Sequence, residues 1–187
     1  GNPWYKSDVG IADGKIDYIG SIKDAEAATV IDGQDLVLSP GFIDVHAHSD
    51  LYMFNDSSIY PKIAQGITTD VSGNCGVSCA PISIEYFEHL KKYMSGLGAG
   101  INPPENWKDF TTFENYLNEI NKLKLGPNVA FYVGQGTIRI AVMGFENRRA
   151  TNEEMRKMKD LVREAMESGA VGMSTGLISP RCIHPEG

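Results

Sequence analysis

Residues 37–50 read VLSPGFIDVHAHSD. An apolar run, "GFIDV", opens after Pro40-Gly41 and ends in two histidines, His46 and His48, one residue apart. In a strand, residues i and i+2 share a face, so His46 and His48 project together while Ala47 turns away. Two imidazoles at a strand's end can hold one divalent ion through ring nitrogens. Alone, H-x-H also fits two strand histidines that meet solvent or a carboxylate, so the surrounding sequence has to decide.

Downstream, strand-like and helix-like patterns alternate. "SSIYPKIAQG" reads as a short helix that Pro61 confines to a first-turn position and Gly66 ends. "ITTDVSG" is the next strand, and "ISIEYFEHLKKYMSGLG" has helical apolar spacing. "TFENYLNEINKLKLG" is an amphipathic helix with Thr112 as N-cap and Gly126 as stop, and "NVAFYVG" is a strand. "TNEEMRKMKDLVREAMESG" is the clearest helix: Thr151 and Glu154 form a capping box and Gly169 closes it. "AVGMSTG" is the last strand. Strands therefore start near Phe42, Ile67, Val129 and Ala170, with helical pattern between them. That alternation predicts α/β architecture with a parallel sheet, about half of a (β/α)8 TIM-type barrel, which needs about 250 residues. A doubly wound sheet is the competitor, but "GNCG" and "GLGAG" do not fit its Gly-rich phosphate fingerprint.

Upstream, "SDVGIADG" and "KIDYIGSI" alternate across an Asp-Gly turn signal, and "ATVIDG" and "DLVLSPG" follow. Residues 1–40 are thus expected to form part of a small β-sheet layer, and residues 41–187 the first four βα units. The sequence opens without Met at "GNPWYKSDVG" and stops in loop-like "PRCIHPEG", as expected of a piece of a longer chain.

Composition narrows the class. The 187 residues are 42% hydrophobic and 22% charged, a globular profile with enough chain to bury a core. The net charge of −7 is spread through the sequence with no basic patch, so no nucleic-acid partner is expected. No apolar run is long enough for a membrane span, and no secretory signal is visible, giving a cytoplasmic expectation. Three cysteines, Cys75, Cys79 and Cys182, make a poor disulfide framework, and the C-x3-C pair lacks the second half of a zinc finger.

Cys75 strengthens the metal reading. It follows "GITTDVSGN" at the end of the second strand, flanked by Gly73, Asn74 and Gly76, which are not core companions. As thiolate it could ligate Zn²⁺. Asp44 shares the face of His46, deeper in the strand, and is a candidate to orient an imidazole; the alternative is a buried carboxylate bound to backbone. Asp50 reads as a loop or cap residue, Asp70 as structural, and Glu153 and Glu154 as part of a helix cap. Ser174 and Thr175 end the fourth strand, where their hydroxyls can line a site, as can Asn74. Cys79 reads as packed and His89 as a surface residue. Arg139 fits a helix start or an ion pair better than contact with an anionic substrate.

These motifs carry a family resemblance. "PGFIDVHAHSD" resembles the first barrel strand of the amidohydrolase superfamily. "GITTDVSGNCGVSCAP" is narrower and resembles the N-acyl-D-amino-acid deacylase (D-aminoacylase) family, with its G-[IV]-T-T…GNCG-[FV]-S-x-AP pattern. "GQGTIRIAVMG", "ESGAVGMSTGL" and the lead-in "DGKIDYIG…VIDGQDLVLSPGFID" agree in order, so the similarity runs over nearly all the chain. The resemblance implies a β-sandwich before a barrel, and a hydrolase that uses one or two Zn²⁺ ions to cleave N-acyl-D-amino acids. His46 and His48 match the first-strand metal pair, and Cys75 matches the thiolate ligand of the second strand. Many superfamily members use a carboxylated lysine on the fourth strand; "AVGMSTG" has none, which fits a site built on Cys75. Two further histidine ligands and the general acid/base aspartate are expected beyond Gly187, and His184 comes too early to be one of them. Members usually place Tyr two residues after "STGL", where this chain has Ser179. The alternative function is a non-catalytic protein that kept the fold and a metal or ligand site.

Overall fold

The computed structural model describes residues 3–24, 26–97 and 102–176. The chain forms two compact units, Gly1–Ser39 and Pro40–Gly187. In the first, β1 (Asp8–Ala12) and β2 (Lys15–Gly20) pair antiparallel. Asp13 and Gly14 both take positive φ, 49° and 72°, the backbone a two-residue hairpin turn requires. "ATVIDG" and "DLVLSPG" form no strand, contrary to expectation. Alternation gives a segment the capacity to be a strand, but a strand also needs a neighbour's N–H and C=O groups, and no described strand pairs with these residues.

The second unit is built on a parallel sheet of β3 (Phe42–Asp44), β4 (Ile67–Ser72), β5 (Asn128–Gly134) and β6 (Gly172–Ser174), in that spatial order. Sequential neighbours joined by helical segments are what barrel winding produces; a doubly wound sheet reverses its order at a switch point. The described helices are α1 (Tyr60–Ile63), α2 (Phe87–Met94), α3 (Phe113–Ile120), α4 (Gln135–Met143) and α5 (Asn152–Ser168).

α3 and α5 bury the stripes their spacing dictates. α3 buries Phe113, Tyr116 and Ile120, and α5 buries Met158 and Ala165. Tyr116 is the hub: its ring lies 5.6 Å from Phe110, 5.8 Å from Phe113 and 5.1 Å from Phe131 on β5. The capping box of α5 forms as read, with Thr151 Oγ1 accepting from Glu154 N and the Glu154 carboxylate accepting from Thr151 N. Gly169 closes that helix at φ 116°. α3 stops at Ile120 rather than running to Gly126, whose N–H instead donates to Ser57 O.

α4 was not legible. Its "QGTIRIAVM" contains Gly136 and β-branched residues, which are poor helix formers. Burial of Thr137, Ile138, Ile140 and Met143 holds it as a helix, and burial this extensive hides the helical period. No helix among the described residues is long and apolar enough to cross a membrane.

Candidate metal centre

β3 ends at Asp44, so His46 and His48 stand just beyond the strand and not within it. They still converge: their ring centroids are 5.7 Å apart at 69°. The segment follows the adjacent strand through Ala47 N, which donates to Val71 O at 3.1 Å. β4 ends at Ser72, and the chain then turns sharply through Gly73, Cys75 and Gly76, at φ 81°, 56° and 78°. This turn aims Cys75 back at the histidines, and its Sγ lies 3.0 Å from His46 Nε2. One ligand atom from each of His46, His48 and Cys75 lies within 4.8 Å of the others.

Three supports fix the turn. Asn74 is buried and its Nδ2 donates to Val71 O at 2.8 Å and Ala47 O at 3.4 Å, joining the cysteine turn to the histidine segment. Ser174, from the end of β6, accepts from Gly76 N at 2.9 Å and donates to Gly73 O. Behind Cys75, Gly176 approaches so closely that a Cβ there would strike the Cys75 carbonyl oxygen. Ser174 and Asn74 therefore shape the site through the backbone. Thr175 is exposed past the strand end.

The electrostatics suit a neutral His48. Burial pushes the His48 pKa down, with help from the neighbouring His46 and Lys62 charges, so the imidazole is held in its metal-binding form. His48 Nδ1 is buried with no hydrogen-bond partner. Asp44 does not reach an imidazole. Its Oδ1 accepts from the His46 backbone N at 3.1 Å and its Oδ2 from Lys62 Nζ at 2.8 Å. The Lys62 hydrogen bond holds the Asp44 carboxyl below its usual range, against a smaller upward push from burial.

Asp50 lies in a turn, as read, but it is enclosed. It is 3% exposed, and burial raises its pKa to about 7. Its Oδ2 accepts from Gly73 N at 3.3 Å, at the base of the cysteine turn, while Oδ1 has no partner. Nothing in "HSDLY" announced this, because burial belongs to the fold. Lys62 was missed for the same reason.

The remaining candidates sort as follows. Asp70 is structural, as read: fully buried, it accepts from Ser49 Oγ at 3.0 Å and Ser72 Oγ at 2.7 Å. Cys79 is packed, as read, and burial raises its pKa well above the usual value. His89 is half-buried rather than fully at the surface. It stacks on Phe145 at 4.6 Å and on Tyr86 at 5.6 Å, because Gly144 lets the chain pass beside its ring. Arg139 neither starts a helix nor pairs with an acid; it sits within α4 and donates to the carbonyls of Glu146 and Arg148 at 2.8 Å each. Ser179, Cys182 and His184 lie outside the described residues.

Comparison with known proteins identifies relatives of the whole chain. The D-aminoacylase of Alcaligenes xylosoxydans xylosoxydans is 39% identical over 186 residues, covering 95% of this chain and 35% of its own length. A crystal structure of D-aminoacylase matches with TM-score 0.80 at 35% identity, covering 98% of this chain and 37% of that one. The N-acyl-D-glutamate deacylase from Bordetella bronchiseptica, solved with zinc and a phosphonate mimic of the tetrahedral intermediate, matches with TM-score 0.79 at 33% identity. It too covers 98% of this chain and 37% of that one. The chain thus spans about a third of the length of the curated relatives it matches. The model of the amidohydrolase family matches residues 29–181, most of the sequence, and the chain belongs to that family.

Proposed function

We propose that this chain carries part of the active site of a zinc-dependent deacylase that hydrolyses the amide bond of N-acyl-D-amino acids, releasing a carboxylate and a D-amino acid. The observation that carries the reading is the convergence of His46, His48 and Cys75 from two strand ends. Two imidazoles and a thiolate form an N,N,S donor set, which suits Zn²⁺ better than a hard cation. The buried, partnerless His48 Nδ1 fits a ligand site, since a buried polar atom without a partner is otherwise costly. The zinc in the Bordetella deacylase and the activities for which the relatives are named support the same choice. In this reading residues 41–187 supply the first four βα units of a (β/α)8 barrel, and residues 1–40 part of a β-sandwich.

The chemistry that such an ion supplies is polarisation of the amide carbonyl and acidification of water. The residues of this chain hold and orient. His46 and His48 present imidazole nitrogens from beyond β3, and Cys75 presents its sulfur from beyond β4. Asn74 and Ser174 fix the backbone that aims Cys75. Asp44 is tied to Lys62 and Asp70 is enclosed, so neither is assigned the transfer of a proton to the leaving amine.

The test is metal content and hydrolysis together. The wild-type protein is expected to retain zinc through dialysis, and Cys75→Ala to lose most of it. In the full-length protein, activity on N-acyl-D-amino acids should exceed that on the L enantiomers and disappear with a chelator. Equal zinc in wild type and Cys75→Ala would refute the site.

A further inference from the structure

The histidine segment lies past the end of β3, so the sheet's hydrogen-bond ladder alone does not hold it. Two of its backbone N–H groups are held by side chains instead. His46 N donates to Asp44 Oδ1 at 3.1 Å, and Ser49 N donates to Ser72 Oγ at 3.0 Å. The Ser72 hydroxyl is oriented in turn by donating to Asp70 Oδ1 at 2.7 Å, and Ser49 Oγ donates to Asp70 Oδ2 at 3.0 Å. One carboxylate therefore governs each end of the His46–Ser49 segment.

Asp44 and Asp70 are also register partners on adjacent strands. Like charges opposed across a ladder repel, and the Asp70 side chain is fully buried. Lys62, from the last turn of α1, meets both carboxylates: Asp44 Oδ2 at 2.8 Å, and Asp70 Oδ2 in a close ion pair. Its side chain is 18% exposed. Pro61 and the short α1 deliver this lysine to the two carboxylates, and the chain runs from there through Gly66 into β4.

We infer that Lys62 is a positioning residue for the metal-binding segment: by joining Asp44 to Asp70 it sets the backbone at both ends of His46–Ser49 and so pre-orients both histidines for the ion. This rests on the metal reading of His46, His48 and Cys75. Without the ammonium, Asp44 is free to leave His46 N. Asp70, left buried without its cation, loses the geometry that orients Ser49 and Ser72. Partners that orient metal ligands typically govern affinity ten- to a hundred-fold.

The test compares wild type, Lys62→Met and Asp44→Ala, each with Zn²⁺ in competition with a chelator well below its melting temperature. Amide exchange at His46 and Ser49 is measured in the metal-free proteins. Asp44 is partly exposed, so Asp44→Ala keeps the test decisive if Lys62→Met does not fold. Expected are a dissociation constant raised about ten- to a hundred-fold in both variants, and faster exchange at His46 in both. Lys62→Met should also quicken exchange at Ser49. Variants that melt lower yet bind Zn²⁺ within two-fold of wild type, with unchanged exchange at His46, would make Lys62 a stability residue only and overturn the inference. Wild type that binds no Zn²⁺ would instead overturn the reading of the site, and the inference with it.

Discussion

Replacing Cys75 by glycine and by alanine separates the cost of aiming the thiol from the loss of the thiol. Both substitutions remove Sγ and its contact with His46, so that loss cancels between them. They differ in one atom, the Cβ, at a residue with φ 56°. In the left-handed region a Cβ crowds the following carbonyl oxygen and costs about 1–2 kcal/mol. Glycine recovers this but gives back about 0.4–1 kcal/mol in unfolded-chain entropy. At the midpoints of these ranges the difference leaves Cys75→Gly more stable than Cys75→Ala by roughly 0.8 kcal/mol. For a chain of this length each kcal/mol shifts Tm by about 2–4 °C, so the glycine variant should melt about 2–3 °C higher. The assay is thermal unfolding followed by calorimetry or far-ultraviolet dichroism, with excess chelator so that bound metal does not contribute. Zinc content should fall equally in both. An alanine variant that melts at or above the glycine variant would show that the turn carries no strain at Cys75 and would refute the reasoning. Strain held at a ligand is stability given up for geometry.

Asp50 should make the metal-free protein depend on pH. Its folded pKa, about 7, lies above the ordinary 3.8. The fold therefore favours the protonated form, and the stability it contributes is complete below about pH 4 and declines as pH rises through 7. At about 1.4 kcal/mol per unit this is of the order of a few kcal/mol. Asp50→Asn should flatten that slope and be more stable than wild type at pH 8; parallel pH profiles of melting temperature would sink the idea. Ser174→Ala removes the acceptor of Gly76 N and the donor to Gly73 O. It should lower stability by about 1–2 kcal/mol and weaken Zn²⁺ binding roughly ten-fold. Zinc titration showing unchanged affinity would mean that the turn holds Cys75 without help from β6.

Local chemistry was legible wherever it acts within a few residues. Thr151 and Glu154 satisfy each other's N–H groups across one turn, so the cap of α5 could be read from four letters. The strand starts were legible because apolar runs bounded by glycine leave few alternatives. α4 was not, because its residues favour other conformations and only packing against the rest of the unit makes it helical. The "ATVIDG" and "DLVLSPG" segments failed in the opposite sense: the local pattern was right for strands, but pairing is a property of the neighbour. His89 read as exposed because its apolar partner Phe145 lies in a distant part of the sequence.

By itself the sequence determined the alternation of strand and helix, and it offered the H-x-H pair and Cys75 as candidate ligands. Those follow from periodicity, from turn residues and from the chemistry of nitrogen and sulfur donors, all of which are written locally. Only the tertiary structure decided that His46 and Cys75 approach to 3.0 Å, that Asp50 is enclosed, and that Lys62 joins two carboxylates beneath the histidine segment. Burial and ion pairing depend on which strands lie side by side. In a parallel sheet that pairing joins residues separated by a whole crossover, a distance over which no local pattern carries information.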